Sequence, residues 1–285
     1  MGILSKIKQK LLPGDLHARI EEKINQLSNP LNELGYDEWG MHLSSIKKAI
    51  LSLSFLYEKY FRVETHGIEK VPPGRVLLVA NHGGQLPIDA AMLCYAMFMY
   101  ANPPRVARTM ADRFLPRMPF LSTFFVRCGQ VIGTPLNCKA LLEKEEAVIV
   151  FPEGTRGLGK PYWKRYQIQE FGTGFMRIAL ETNTPIVPIA FIGSEEAYPS
   201  FYNAKSLAKF FKIPYFPITP TWPILGPVGA LPIPAKLHIH FGDPMTFSGD
   251  FDGTEQEIHQ KATLVSQNIQ DMIKQGLRER KKIFG

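Results

Sequence analysis

Short runs of apolar residues recur through the middle of the chain, and several of them end abruptly in polar turns. Residues 76–80 read VLLVA and lie between the turn sequence PPGR and the polar sequence NHGG. Residues 147–151 (AVIVF) and 185–192 (PIVPIAFI) have the same form. Apolar runs of this length, bounded by glycine, proline and polar residues, are typical of buried strands. The sequence therefore predicts interior strands that carry polar residues at their carboxyl ends.

Between these runs the apolar residues repeat at helical spacing. Helices are predicted at residues 16–27, 44–61, 87–100, 136–145 and 173–182, and a last one begins at the capping box TEQE of residues 254–257. Shorter strands are predicted at 62–67, 105–110, 130–132 and 236–241. This alternation indicates an α/β fold, in which a mostly parallel central sheet is flanked by helices and functional residues lie at the carboxyl ends of its strands.

The length and composition suit one large domain with helical additions. The chain has 285 residues, of which 45% are hydrophobic, enough for a packed core. We expect an N-terminal helical segment at 1–61, an α/β domain at 62–245, and a C-terminal helix within 246–285 that packs on the same domain. The three cysteines, Cys94, Cys128 and Cys138, have no metal-like spacing, which favours a reducing compartment and ordinary core packing.

The charge balance favours an anionic surface as a partner. The formal net charge is +7, yet the chain has no nucleic-acid-binding motif, so a membrane surface is expected rather than nucleic acid. No apolar run reaches the length of about 18 residues typical of a spanning helix, and the amino end does not read as a secretory signal. We therefore expect a cytoplasmic protein, peripherally associated with the inner face of a membrane. The amphipathic residues 1–12 predict a helix that either lies on lipid or docks on the protein.

The turn after residues 76–80 contains the first candidate catalytic residues. His82 would lie at the carboxyl end of a strand, and Asp89 in the first turn of the next helix. A carboxylate that fixes the tautomer of an imidazole gives the arrangement required of a general base. Taken alone, these two residues are equally consistent with a solvated turn. In that case Asp89 would only interact favourably with the positive end of the helix dipole.

A second strand ends in a comparable way. Residues 151–156 read FPEGTR, directly after the apolar run at 147–150, and residues 184–190 read TPIVPIA. Together with Asn81-His82 and Asp89, these blocks resemble the PlsC-type glycerolipid acyltransferase superfamily over roughly residues 62–245. The resemblance implies transfer of a fatty acyl group from an acyl-CoA or acyl-ACP thioester to a hydroxyl of a glycerolipid acceptor.

The same resemblance implies roles for six residues. His82 would be the general base, assisted by Asp89, and an acceptor site would be lined by Glu153, Gly154, Thr155 and Arg156. The expected co-substrate is an acyl-CoA or the acylated form of an acyl carrier protein. No cofactor or metal is expected. A thioester is already activated, so no covalent acyl-enzyme is needed, and the chain has no G-x-S-x-G elbow.

The sequence departs from the family pattern in two places. Six residues separate His82 from Asp89, where four are common, and this longer spacing is similar to that of a monoacylglycerol-acyltransferase-like branch. The family pattern commonly has an arginine that is thought to hold the phosphate of the acceptor. At the corresponding place this chain has Gly133, Thr134 and Pro135. The second departure argues against a lysophosphatidate-like acceptor and leaves mono- or diacylglycerol-like acceptors open.

Several alternatives stay open at this point. The fold could belong to a catalytically silent lipid-binding or membrane-tethering protein, or to a hydrolase in which His82 activates water. The proline-rich apolar segment 201–234 predicts an acyl tunnel, a bilayer contact or a core-covering excursion. The loop at residues 157–169 is rich in basic and aromatic residues. It is interpreted either as a solvated loop or as a binding site for coenzyme A. His238 and His240 share one face of a predicted strand, and without a ligand partner nearby they are interpreted as structural.

Overall fold

The computed structural model describes residues 14–27, 31–112, 120–211, 215–280 and 282–284. The amphipathic helix predicted at residues 1–12 lies outside these ranges. Within them the predicted α/β class is confirmed: a mostly parallel sheet has helices on both faces.

Nine strands are present in the described residues. They are β1 (Glu64–His66), β2 (Val76–Ala80), β3 (Arg108–Ala111), β4 (Val131–Ile132), β5 (Ala147–Val150), β6 (Ile186–Ile192), β7 (Tyr202–Asn203), β8 (Pro217–Ile218) and β9 (His238–Phe241). Seven of them form one sheet in the order β1-β9-β6-β2-β5-β3-β4, and β7 pairs with β8 in a separate ribbon. The apolar strands β2, β5 and β6 lie side by side near the centre of the sheet, as their sequences predict.

The helices connect the strands and cover the sheet. They are α1 (Gly14–Asn25), α2 (Leu43–Phe55), α3 (Ile88–Met99), α4 (Leu121–Arg127), α5 (Pro135–Glu143), α6 (Thr155–Leu158), α7 (Gly174–Glu181), α8 (Ser194–Ala197), α9 (Lys205–Phe211), α10 (Gly226–Gly229) and α11 (Glu255–Glu279). A π-helical turn, Leu56–Tyr60, continues α2 to the predicted end of that helix. The predicted capping box begins α11, with reciprocal bonds between Thr254 and Glu257.

The core lies on both sides of the sheet, and β2 contributes to each side. Leu78 packs in a cluster with residues of α1, α2 and α3, whereas Leu77 and Val79 pack in a cluster with residues of α5, α7 and α11. Alternate side chains of a strand point to opposite faces, so a strand covered on both faces has to be apolar throughout. This explains why every residue of β2 is buried.

One pair of edge strands departs from the parallel arrangement. β9 runs antiparallel to β6, and β1 runs parallel to β9. The chain between β6 and β9 contains the segment 201–234, several residues of which stay beside the carboxyl end of β2. The chain therefore enters β9 at the same end of the strands at which it left β6. For this reason β9 runs in the direction opposite to β6. In the described part of the chain, no helix combines the length and apolar character needed to cross a membrane.

Candidate active site

The candidate site begins where β2 ends. The side chain of Asn81 bonds to both backbone groups of Phe191 in β6, accepting from its N–H at 2.7 Å and donating to its carbonyl at 3.0 Å. Asn81 thereby continues the pairing between the two strands with a side chain while its own backbone turns away. This turn places His82, the next residue, at the carboxyl edge of the sheet.

The imidazole of His82 is held from two sides. Its Nδ1 lies 2.6 Å from Oδ2 of Asp89, a fully buried carboxylate in the first turn of α3. Its ring stacks on Phe151, the residue that follows β5, with ring centroids 4.2 Å apart. A carboxylate at Nδ1 favours the tautomer with the proton on that nitrogen and leaves Nε2 as the basic nitrogen. The predicted pair of His82 and Asp89 is thus brought together in hydrogen-bonding geometry.

The carboxylate of Asp89 has further partners that fix its position. Oδ2 also accepts from the backbone N–H of Gly83 at 3.1 Å, and Oδ1 accepts from the N–H of Ala90 at 2.8 Å. A buried carboxylate needs such donors, because an unpaired charge in the interior is costly. The amide of Gly83 is therefore engaged by the carboxylate, so an oxyanion-stabilising role has to come from other donors.

Glu153 supports His82 through its backbone. Its Oε1 accepts from the N–H of His82 at 2.9 Å, its Oε2 accepts from the N–H of Gln169 at 2.7 Å, and only 1% of the residue is exposed. Burial raises the pKa of the Glu153 carboxyl, although Lys160, 3.6 Å away, and the two amides oppose this. Glu153 thus joins the turn that contains His82 to the loop that contains Gln169. It is not among the residues that line the cavity described below.

Glycines allow the backbone around His82 to pack closely. A Cβ at Gly157 would lie 2.8 Å from the carbonyl oxygen of His82, and one at Gly83 would lie 2.6 Å from Cδ of Glu195. Gly84 has φ +81°, and a Cβ there would meet the carbonyl oxygen of Ser194 at 2.9 Å. The close approach of the backbone at Gly83 and Gly84 is therefore to α8 of the protein itself.

An apolar cavity of about 750 Å³ opens beside His82. The side chains of α2, α3 and α4 form much of its wall, and the imidazole of His82, Phe151 and Thr155 lie at one part of it. Tyr215, Phe216 and Trp222 from the proline-rich segment complete the wall, and the hydroxyl of Tyr215 donates to the carbonyl of Gln85. The volume falls within the range of about 300–1,000 Å³ typical of ligand pockets.

The remaining predicted residues occupy different positions. Thr155 begins α6 and lines the cavity, and Gly154 has φ +56° at the turn before that helix. The side chain of Arg156 is 54% exposed, donates to the carbonyl of Glu170 at 2.9 Å and lies 3.6 Å from its carboxylate. The structure therefore brings His82, Asp89, Glu153 and Thr155 together and leaves Arg156 on the surface beside Glu170.

Sequence reasoning missed the role of Lys160. It was placed in a loop interpreted as solvated or as a binding site for coenzyme A, and the solvated interpretation is wrong for this residue, which is 5% exposed. Its ammonium lies between Glu153 and Glu195 and donates to the carbonyl of Gln167 at 3.1 Å. Glu195 is far from Glu153 along the chain, so no local pattern could have indicated this buried triad.

The packing predicted for the cysteines agrees with the structure. Cys94, Cys128 and Cys138 are all free, and none is exposed. Burial raises the pKa of the Cys128 thiol to about 11 and that of Cys138 to about 12. Because the thiolate is the nucleophilic form, these groups are poor nucleophiles at neutral pH.

Comparison with known proteins defines the class. A family model described as Acyltransferase matches residues 62–192. A protein of Mycobacterium tuberculosis described as uncharacterised is 38% identical over 249 residues, which cover 87% of this chain and 68% of that protein. A mouse protein described as "DGAT1/2-independent enzyme synthesizing storage lipids" is 24% identical over 208 residues, 73% of this chain and 59% of that protein.

A solved structure shares the fold. The 1-acyl-sn-glycerophosphate acyltransferase PlsC from Thermotoga maritima superposes with a TM-score of 0.54 at 18% identity, covering 84% of this chain and 80% of that one. The chain belongs to the PlsC-type acyltransferase superfamily, as its motifs indicated. It is accordingly an acyltransferase.

Proposed function

We propose that this protein transfers a fatty acyl group from an acyl-CoA or acyl-ACP thioester to the hydroxyl of a glycerolipid, with His82 as general base and Asp89 as its partner. One observation carries the proposal. An imidazole whose Nδ1 is engaged by a buried carboxylate forms part of the wall of a large apolar cavity. A base beside a space for a lipid chain is the arrangement that acylation of a lipid alcohol requires.

The chemistry needs only one base. Nε2 of His82 removes the proton from the acceptor hydroxyl as its oxygen attacks the thioester carbonyl. The tetrahedral intermediate then breaks its C–S bond, and the departing thiolate takes the proton back from the imidazolium. Asp89 stabilises the imidazolium between the two steps through the 2.6 Å contact with Nδ1. The products are an ester and a free thiol, and no acyl-enzyme forms.

The cavity would hold the acyl chain. Its wall is built from apolar side chains of α2, α3 and α4 and closed by Tyr215, Phe216 and Trp222. Burial of each methylene contributes about 0.8 kcal/mol, so a dry wall of this kind binds a long chain and orients its carbonyl. This favours the acyl-tunnel interpretation for part of the segment 201–234.

The acceptor is proposed to be a neutral lipid alcohol, such as mono- or diacylglycerol. Among the described residues, the cavity wall contains no lysine or arginine. The sequence also has Gly133, Thr134 and Pro135 where the family arginine is common. The storage-lipid name of the mouse relative supports the same class, and the name of the PlsC neighbour supports a phosphorylated acceptor, 1-acylglycerol-3-phosphate.

The roles of the FPEGTR residues follow from their positions. Arg156 is proposed to contact the polar part of the acceptor at the surface, and Gly154 and Thr155 to shape the cavity beside it. Glu153 is proposed as a positioning residue, because its contacts are with the backbone of His82 and Gln169 and with Lys160.

A peripheral location at the inner face of a membrane remains part of the proposal. The segment 201–234 exposes apolar side chains next to the cavity wall, among them Phe210 at 78% and Ile224 at 80% exposure. Exposed apolar side chains grouped on one segment mark an interaction surface. A lipid surface would supply both the covering and the acceptor.

The test is acylation by the purified full chain. Acyl-CoA and acyl-ACP are each offered with monoacylglycerol, diacylglycerol, a long-chain alcohol and lysophosphatidate, and the lipids are identified by mass spectrometry. We expect an ester with a neutral acceptor. Esterification of lysophosphatidate alone would overturn the acceptor class. Thiol release without any acceptor would instead indicate a hydrolase, and bound lipid without turnover a silent binding protein.

A further inference from the structure

Three histidines meet at the edge of the sheet formed by β1 and β9. His66 is paired in register with His240, and His238 lies two residues before His240 on the same strand face. One ring nitrogen from each of the three lies within 4.8 Å of the others. The rings are nearly parallel, with the centroids of His66 and His240 4.7 Å apart and those of His238 and His240 6.2 Å apart.

A carboxylate orients the most buried of these rings. Oε2 of Glu64, which is paired in register with His238, lies 3.3 Å from its Nδ1. Only 7% of His238 is exposed, and its Nε2 is buried without a hydrogen-bond partner among the described residues. A buried polar atom without a hydrogen-bond partner is destabilising. This nitrogen lies beside two further imidazoles, so a ligand shared by the three rings would give it a partner.

We propose that His66, His238 and His240 form a binding site for a divalent transition cation of the Zn²⁺ class, with Glu64 orienting His238. A carboxylate on the outer nitrogen of a ligating imidazole is the usual supporting partner at such sites. Three imidazole ligands leave a fourth position for water, which the exposure of His66 permits. The site revises the expectation that His238 and His240 are merely structural.

Two of the three rings lie in closely packed surroundings. Burial lowers the pKa of His238 to about 4 and also lowers that of His240. The ammonium of Lys236 lies 2.6 Å from Oε1 of Glu64, so that carboxylate already has one cationic partner. Helix α11 passes close by, since a Cβ at Gly276 would lie 2.9 Å from Nε2 of His240.

The distances require a small adjustment. Zn–N bonds of about 2.0–2.1 Å in a tetrahedral site place ligand nitrogens about 3.4 Å apart. The nitrogens, within 4.8 Å of one another, therefore have to close by at most about 1.4 Å. The side chain of His66 is 53% exposed and has room to rotate. A bound cation would join the edge strand β1 to β9.

The proposal is tested by metal binding to the untagged full chain after treatment with a chelator. Titration with ZnCl₂, followed by calorimetry, should give one ion per chain, and Co²⁺ should give the visible absorption of a tetrahedral nitrogen site. His66→Ala, which removes an exposed ring, should abolish the Co²⁺ bands. Glu64→Gln should weaken Zn²⁺ binding by about 10–100-fold, as loss of an orienting partner does elsewhere.

Two controls keep the outcome decisive. His259→Ala removes an exposed histidine of α11 and should leave stoichiometry and affinity unchanged. Zn²⁺ should raise the melting temperature of the wild type and of His259→Ala, but not of His66→Ala or His240→Ala. Absence of binding by the wild type would overturn the proposal. Equal affinity in the wild type and His66→Ala would also do so, because the ion would then lie elsewhere.

Discussion

Two histidine sites on the same sheet combine similar groups in different surroundings. At the end of β2, Nδ1 of His82 meets the carboxylate of Asp89, and the imidazole forms part of an apolar cavity wall. On β9, Nδ1 of His238 meets Glu64, and the ring faces two more imidazoles. A carboxylate partner therefore does not by itself define the function of a histidine.

The surroundings of the second ring nitrogen make the difference. A ring nitrogen that meets a bound hydroxyl can accept its proton, whereas one beside two further imidazoles can bind a cation together with them. The carboxylates differ as well. Asp89 is fully buried and accepts three hydrogen bonds, while Glu64 is half exposed and shared with Lys236. The proton transfer proposed for His82 requires such a fixed geometry.

The largest expected effect is that of removing the base. His82→Ala should lower kcat for acyl transfer by about 10²–10⁴-fold, the usual contribution of a general base. The measurement is acceptor-dependent release of the free thiol. His259→Ala, at an exposed position on α11, should retain wild-type turnover. Near-normal kcat in a folded His82→Ala protein would remove His82 from the mechanism.

Asp89→Asn comes next, because it keeps the shape and removes the charge. An amide cannot stabilise the imidazolium, and its NH₂ group would face the N–H groups of Gly83 or Ala90. We expect kcat to fall by about 10²-fold or more with little change in KM. Steady-state kinetics with the preferred acceptor measure this. An unchanged kcat would show that the 2.6 Å contact has no catalytic role.

Glu153→Gln should have a smaller effect that combines stability and positioning. An amide offers one acceptor oxygen where the carboxylate offers two, so the N–H of His82 or of Gln169 loses its partner. We expect about 1–3 kcal/mol less stability in urea unfolding and about a tenfold lower kcat. The matched control is Glu143→Gln, an exposed glutamate of α5. Equal effects of the two substitutions would contradict the positioning role.

Arg156→Ala should have the smallest effect, because the side chain is largely exposed and its partner is Glu170. We expect at most about a fivefold rise in KM for the acceptor and little change in kcat, since exposed charged contacts contribute about 0.2–1 kcal/mol. Acceptor titrations at saturating thioester measure it. A KM unchanged for every acceptor would make Arg156 a structural residue.

Much of the fold could be predicted because its signals are local. The runs VLLVA, AVIV and IVPIAFI form the central strands β2, β5 and β6, and the capping box at Thr254 begins α11. The contact between His82 and Asp89 could be predicted for the same reason, since only six residues lie between them. The antiparallel direction of β9 was not predicted, because it depends on where the chain re-enters the sheet.

The rest depends on contacts between distant parts of the chain. His66 joins His238 and His240 only through the pairing of β1 with β9, which strand patterns do not specify. The burial of Lys160 was not predicted, because its partners Glu153 and Glu195 come from separate turns. The cavity likewise needs Tyr215 and Trp222 to lie beside residues of α2, α3 and α4, a tertiary arrangement with no sequence period.

The central claim is that the imidazole of His82 and the apolar cavity are one acyl-transfer site. Its most direct test is kcat/KM for short- and long-chain acyl thioesters in the wild type, in Ala91→Phe, which fills the cavity from α3, and in Ala91→Ser as a control of similar size. The account predicts that Ala91→Phe loses activity with long chains and keeps it with short ones, while Ala91→Ser follows the wild type. The same chain-length profile in all three proteins would contradict it.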